Sequence, residues 1–277
     1  MFLRKSKEKE LEMICEVMKN RKKSLLIGTA HFFPYSFRTS LSRYIKNAAI
    51  VLFEGPLDKD SMAKVVNAGF EKEGGVTILE ELDRQTIDEL TGVLALPGKD
   101  RIPYFFFNAH TSGAGNPLYS MIEGMKPWMA FFTIWTTFLG KKGWRYSVDL
   151  EAYNIAQEMG KNTVFLETIE EQIEVLESLS LEKIIDFLKR VDRWSAYAKE
   201  YVKCYLDGNL EKLKSTMSGF PTRRFSVIDG RDRVLYERML PYLKKGDAVA
   251  FVGAPHIRGI SEMLRADGYQ TVRQCTS

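Results

Sequence analysis

A chain of 277 residues can form one large domain or two small ones, and with 45% apolar and 27% charged residues it is composed to bury a core. Its 40 Lys and Arg and 36 Asp and Glu are dispersed, so the net charge of +4 describes solubility and argues for no nucleic-acid partner. Cys15, Cys204 and Cys275 lie far apart with no CxxC spacing, which removes a disulfide framework and a cysteine zinc site and leaves free thiols in a reducing compartment.

The first residues, Met1 to Lys7, run into charge without the apolar stretch of a secretory signal, so a cytoplasmic location is expected. Glu8 to Met18 carries helical periodicity. Ser24 to Ile27 is a short apolar run, read as a buried strand, and it feeds the polar loop Gly28-Thr29-Ala30-His31. Phe37, Leu41, Tyr44, Ile45 and Ala48 recur on one helical face, and Ala49 to Phe53 is a second apolar run ending in Glu54-Gly55-Pro56. Strand, helix and strand at this separation predict a βαβ unit with parallel strands.

The pattern returns further along. Asn154 to Met159 completes a helix that Gly160 terminates, and Thr163 to Leu166 is a strand ending at Glu167. Val234, Leu235, Met239 and Leu243 mark a helix closed by Gly246. The strand Ala248 to Val252, the loop Gly253-Ala254-Pro255-His256, another helix and a last strand from Tyr269 to Arg273 follow. Two mainly helical insertions fall at about 83–139 and 169–217. Strand-forming segments precede and follow them, so the expected fold is α/β: a single domain over 1–277 with a central, mostly parallel sheet. Pro127 to Leu139 is the most apolar stretch, yet it falls short of the roughly 20 residues that span a bilayer. It reads as a buried helix, not a transmembrane segment.

His31, Glu54, Glu167 and His256 each follow an apolar strand, and ligands of open parallel sheets bind outside the carboxyl ends of the strands. Two imidazoles with one or two carboxylates suit a divalent metal, Mn²⁺, Co²⁺ or Zn²⁺, which can activate water and polarise a carbonyl. A strand-end His is also an ordinary loop hydrogen-bonder, and Glu54 and Glu167 could accept turn N–H groups. Thr168 and Glu171 fit a capping box, and Asp149 reads as a helix N-cap. His110 ranks below the other two histidines because no matching strand precedes it. Gly113-Ala114-Gly115 is not followed by GK[ST], and no GxSxG elbow occurs, so neither a phosphate loop nor an acyl-enzyme is indicated. The aromatic run Tyr104 to Phe107 and the helix carrying Trp128 and Trp135 read as core, or as the wall of an apolar groove.

The ordered set of Gly28-Thr29-Ala30-His31, Glu54, Lys126-Pro127-Trp128, Val148-Asp149, Leu166-Glu167-Thr168 with Gln172, Arg231-Asp232-Arg233 and Gly253-Ala254-Pro255-His256 resembles the TraB/GumN/TIKI families, most closely the GumN-like branch. The resemblance spans nearly the whole chain. It implies a fold related to erythromycin-esterase and ChaN-like proteins, and a metalloprotease or metal-dependent hydrolase activity. It carries His31, His256 and Glu54 over as metal-site and catalytic residues, with Glu167 beside them as a further ligand or an orienting group. Arg231 carries over as a site-facing residue that binds a carboxylate or oxyanion through its planar fork. Asp232 stands where the pattern has Asn, and Pro255 falls inside the second GxxH.

The leading expectation is therefore a metal-dependent hydrolase acting on a peptide or small-molecule substrate at amide or ester bonds. A module that sequesters a peptide without cleaving it is the alternative from a different class. A structural or partner-binding role for the apolar helix around Trp128 and Trp135, with a homo-oligomer as one form of it, is the third.

Overall fold

The computed structural model describes residues 8–71, 78–94, 117–216, 219–222 and 225–273. His110, the Tyr104–Phe107 run, Gly113–Gly115 and Cys275 lie outside these described residues.

Six strands form one sheet: β1 (Ile14–Lys19), β2 (Lys22–Thr29), β3 (Ile50–Phe53), β4 (Thr163–Phe165), β5 (Ala248–Gly253) and β6 (Gln270–Arg273), in the spatial order β4-β3-β5-β2-β1-β6. The four strands β4, β3, β5 and β2 are parallel, and β1 is antiparallel to both its neighbours. This is the α/β single domain with a mostly parallel sheet that the apolar runs predict.

The helices are α1 (Arg38–Asn47), α2 (Lys59–Ala68), α3 (Arg84–Leu94), α4 (Pro117–Ile122), α5 (Pro127–Lys141) and α6 (Val148–Glu158) before β4. After β4 come α7 (Ile169–Glu177), α8 (Leu181–Leu188), α9 (Trp194–Leu206), α10 (Leu210–Thr216) and α11 (Phe225–Leu243), and α12 (His256–Ala266) follows β5.

The period of two along a strand sends alternate side chains to opposite faces, and both faces are dry here. Ile27, Val51, Phe53, Val249 and Phe251 pack on one side with Leu41 and Ile45 of α1, Ala152 and Ile155 of α6, and the aromatic residues of α5 and α9. Leu26, Leu52, Ala250 and Val252 pack on the other with Leu235 and Met239 of α11 and Ile257, Ile260 and Leu264 of α12. Burial on two faces explains why β2, β3 and β5 read as continuous apolar runs.

The segment that carries helical periodicity before Met18 is instead the strand β1. Ile14 enters one core cluster while Cys15 and Val17 enter the other. With both faces covered there is no alternation to reveal a strand, and tertiary pairing with β2 and β6 decides the conformation. The apolar helix α5 is buried as expected, with Trp128 and Trp135 4% and 6% exposed. No helix among the described residues is long and apolar enough to cross a membrane. Cys15 and Cys204 are both buried.

Candidate active site

Read across the sheet, the parallel strands β4, β3, β5 and β2 deliver Glu167, Glu54, His256 and His31 in that order to one end. The ladder continues past the strand ends and fixes the backbone beneath these side chains. Glu54 N donates to Phe251 O at 3.0 Å, Glu167 N to Glu54 O at 2.8 Å and Ala254 N to Thr29 O at 3.0 Å. The repeated GxxH is tied to this geometry. A Cβ on Gly28 would stand 3.1 Å from Ala254 Cα, and one on Gly253 would stand 3.3 Å from Glu54 Oε2, so both glycines let neighbouring loops close on each other.

Arg231 sits at the centre. Its Nη2 donates to Glu54 Oε1 at 2.5 Å and to Glu167 Oε2 at 2.5 Å, and its Nε donates to Glu167 Oε1 at 2.8 Å. Glu54 Oε2 accepts from Gly253 N at 2.6 Å. Burial opposes ionisation of Glu54, but the Arg231 charge, assisted by His256, His31 and the Gly253 N–H, outweighs it and holds the carboxyl well below its ordinary range. Burial likewise disfavours the Arg231 cation, and Glu54 and Glu167 more than restore it.

His31 and His256 each have a buried carboxylate behind them. His256 Nδ1 lies 2.6 Å from Asp232 Oδ1, and its Nε2 lies 4.0 Å from Glu54 Oε1. Successive residues of a helix project about 100° apart. The neighbours Arg231 and Asp232 on α11 therefore reach different targets, the carboxylate pair and His256. Asp232 is also pressed against α12: a Cβ on Gly259 would meet its Oδ2 at 1.9 Å. Pro255, the residue inside the second GxxH, takes helical dihedrals before α12, so His256 begins that helix without disrupting it.

His31 Nδ1 lies 3.0 Å from Asp149 Oδ2. Asp149 is not the helix cap its position suggests. Ser147 caps α6 by accepting from Leu150 N, which leaves Asp149 in the first turn with its carboxylate on His31. The bond from Val148 N to Ala30 O, 3.0 Å, ties that turn to the end of β2. The His31 side chain remains 66% exposed because it looks into a cavity, whereas Asp149 behind it is 6% exposed. The Asp149 charge is the main reason that the His31 pKa rises to about 9, against the desolvation that would lower it. The Asp149 charge therefore favours the imidazolium form of His31 at neutral pH.

The expected capping box is present, with Thr168 accepting from Glu171 N at 3.2 Å and Glu171 reaching back to Thr168 N at 2.8 Å. Arg238 binds both Glu171 oxygens and Leu166 O, bracing the turn that carries Glu167. Glu167 thus faces inward, but it holds Arg231 instead of orienting a histidine.

An ion shared by His31, Glu54, His256 and Glu167 would need open lone pairs on an uncompensated set of donors. Both oxygens of each glutamate already accept N–H bonds, and the Arg231 cation bridges the two carboxylates. No group of three or more His, Cys, Asp or Glu residues among the described residues is arranged to hold a metal. In this arrangement the donor set does not fit a divalent cation, because a guanidinium supplies the positive charge.

His31, Glu54, Arg231 and His256 line one end of a cavity of about 370 Å³, whose remaining wall is largely apolar. The TraB/PrgY/gumN family model matches residues 13–273, from the start of β1 through β6. The chain belongs to the TraB/PrgY/gumN family. Every charged group of the site lies within that match. No curated protein and no solved structure matches the chain.

Proposed function

We propose that this TraB/PrgY/gumN-family protein is a hydrolase that cleaves an amide or ester bond in the cavity, using a water activated by a histidine. The observation that carries the reading is the pairing of each cavity histidine with a buried aspartate through Nδ1, which leaves both Nε2 atoms for chemistry. With its Nδ1 proton directed to Asp232, His256 presents a lone pair at Nε2 beside Glu54. It takes a proton from water as the water oxygen bonds to the substrate carbonyl carbon. Arg231 spends Nε and Nη2 on the two glutamates, and in this reading its Nη1 serves as the donor to the developing oxyanion. When the carbon–nitrogen or carbon–oxygen bond breaks, the His31 imidazolium donates its proton to the leaving amine or alcohol.

A metal-dependent route is the second reading. Nδ1 anchoring by a carboxylate is also how metal-bound imidazoles are held, and this supports it. The engaged glutamates and the protonated His31 weigh against it. Sequestration of a substrate without cleavage uses the same cavity and differs only in turnover.

The test is a panel of acyl amides and esters incubated with the wild-type protein in ¹⁸O-water, with the products read by mass spectrometry. One solvent oxygen in the released acid, and a fall of about 10²-fold or more in His256→Gln and Asp232→Asn, are expected. Equal turnover by wild type and both variants would overturn the assignment.

A further inference from the structure

We infer that the group on the acyl side of the scissile carbonyl is uncharged and apolar, of about the size of an octanoyl chain. This rests on the hydrolase reading for the site but draws on a separate observation, the chemistry of the cavity wall. Among the described residues, the wall away from the strand-end cluster is built by Leu57, Met62, Phe132, Trp135, Trp144 and Leu176, and the others there are apolar or uncharged. The charged side chains among the described residues that line the cavity, His31, Glu54, Asp149 and Arg231, all belong to that cluster.

A charged ligand tail would therefore leave water and meet no partner, a cost that a methyl terminus does not incur. The cavity's 370 Å³ is more than twice the roughly 150 Å³ that encloses one benzene, so a dozen or so non-hydrogen atoms fit. The polar end positions the carbonyl, and the aromatic wall selects what is attached to it.

Calorimetric or saturation-transfer NMR titration with butanamide, hexanamide and octanamide tests the inference by binding alone, and a fourth probe, the monoamide of octanedioic acid, adds a terminal carboxylate. Affinity should rise about three- to fourfold per methylene, and the carboxylate should weaken binding at least tenfold relative to octanamide. Met62 is partly exposed on α2 and lines the cavity, so Met62→Lys places a cation in the wall without burying it fully. It should reverse the preference in favour of the carboxylate probe.

Chain-length-independent binding, or a carboxylate probe within threefold of octanamide on the wild type, would overturn the inference. The same would follow if Met62→Lys left the preference unchanged. If the amides bind as described but the matched octanoyl esters are never hydrolysed, the hydrolase reading fails while the preference of the cavity for an uncharged apolar chain stands. Hydrolysis confined to short or charged acyl groups would have the opposite meaning.

Discussion

Arg231→Met removes the cation while keeping most of the side-chain volume, and it leaves Glu54 and Glu167 facing each other without compensation. The three side chains are 16%, 9% and 3% exposed, so solvent does little to replace the lost charge. Breaking a buried pair by deleting one partner costs about 3–5 kcal/mol. Glu54 retains the Gly253 N–H at 2.6 Å, but Glu167 loses both bonds from Arg231. At a urea slope of about 3 kcal/mol per molar, that loss moves the unfolding midpoint down by roughly 1–2 M. The Glu54 pKa is depressed below its ordinary 4.5 on folding, so its contribution is present above that pH and disappears as pH falls through the folded-state value. The gap between wild type and Arg231→Met should therefore hold from pH 7 to about 5 and narrow as urea titrations are taken below 4.5. Arg231→Met combined with Glu54→Gln and Glu167→Gln should recover most of the loss, because neutral amides do not repel each other. A single variant within about 1 kcal/mol of wild type, or a triple variant no more stable than the single, would refute the reasoning.

His31 should titrate near 9 in the NMR spectrum of the folded protein and return towards 6.5 in Asp149→Asn; a midpoint near 6.5 in the wild type would remove the Asp149 pairing. Because its folded pKa is raised, the stability it contributes is complete below 6.5 and is lost as pH rises through about 9, which urea midpoints in His31→Gln and wild type should show. Gly259→Ala ordinarily favours a helix by about 0.5–1 kcal/mol. Here the new Cβ collides with Asp232, so the variant should instead be less stable by about 1–3 kcal/mol and lose turnover, and a stabilised, fully active variant would count against the Asp232–His256 pair. Chelation and dialysis should leave turnover unchanged. A tenfold loss restored by Zn²⁺, Mn²⁺ or Co²⁺ would establish the metal-dependent route.

The carboxyl ends of β2, β3, β4 and β5 were legible because each is a largely apolar run followed within a few residues by a polar one, and parallel pairing then forces those residues together. β1 was not, since Leu11, Ile14, Cys15 and Met18 repeat at helical spacing while pairing on both edges makes a strand of Ile14–Lys19. The carboxylates behind the histidines were hidden for a different reason. Asp149 and Asp232 lie on α6 and α11, distant in sequence from the loops they serve. An acidic residue in a first helical turn satisfies the rules for capping equally well, and only the side chain of Ser147, already on Leu150 N, frees Asp149 for His31. The Asp232 departure from the family pattern was visible, but its pairing with His256 was not. The Arg231 bridge likewise depends on a helix–sheet distance that periodicity does not encode.

The most direct test of the central claim is the pH dependence of kcat/KM for an octanoyl ester or amide, measured on wild type, Asp149→Asn and Asp232→Asn. If His31 acts as a cation and His256 as the base, wild-type activity falls as pH rises through about 9, and Asp149→Asn moves that fall to lower pH. Asp232→Asn lowers the whole profile. Activity that rises through pH 9 in the wild type would contradict the account, because it would make neutral His31 the working form, as a base or a metal ligand.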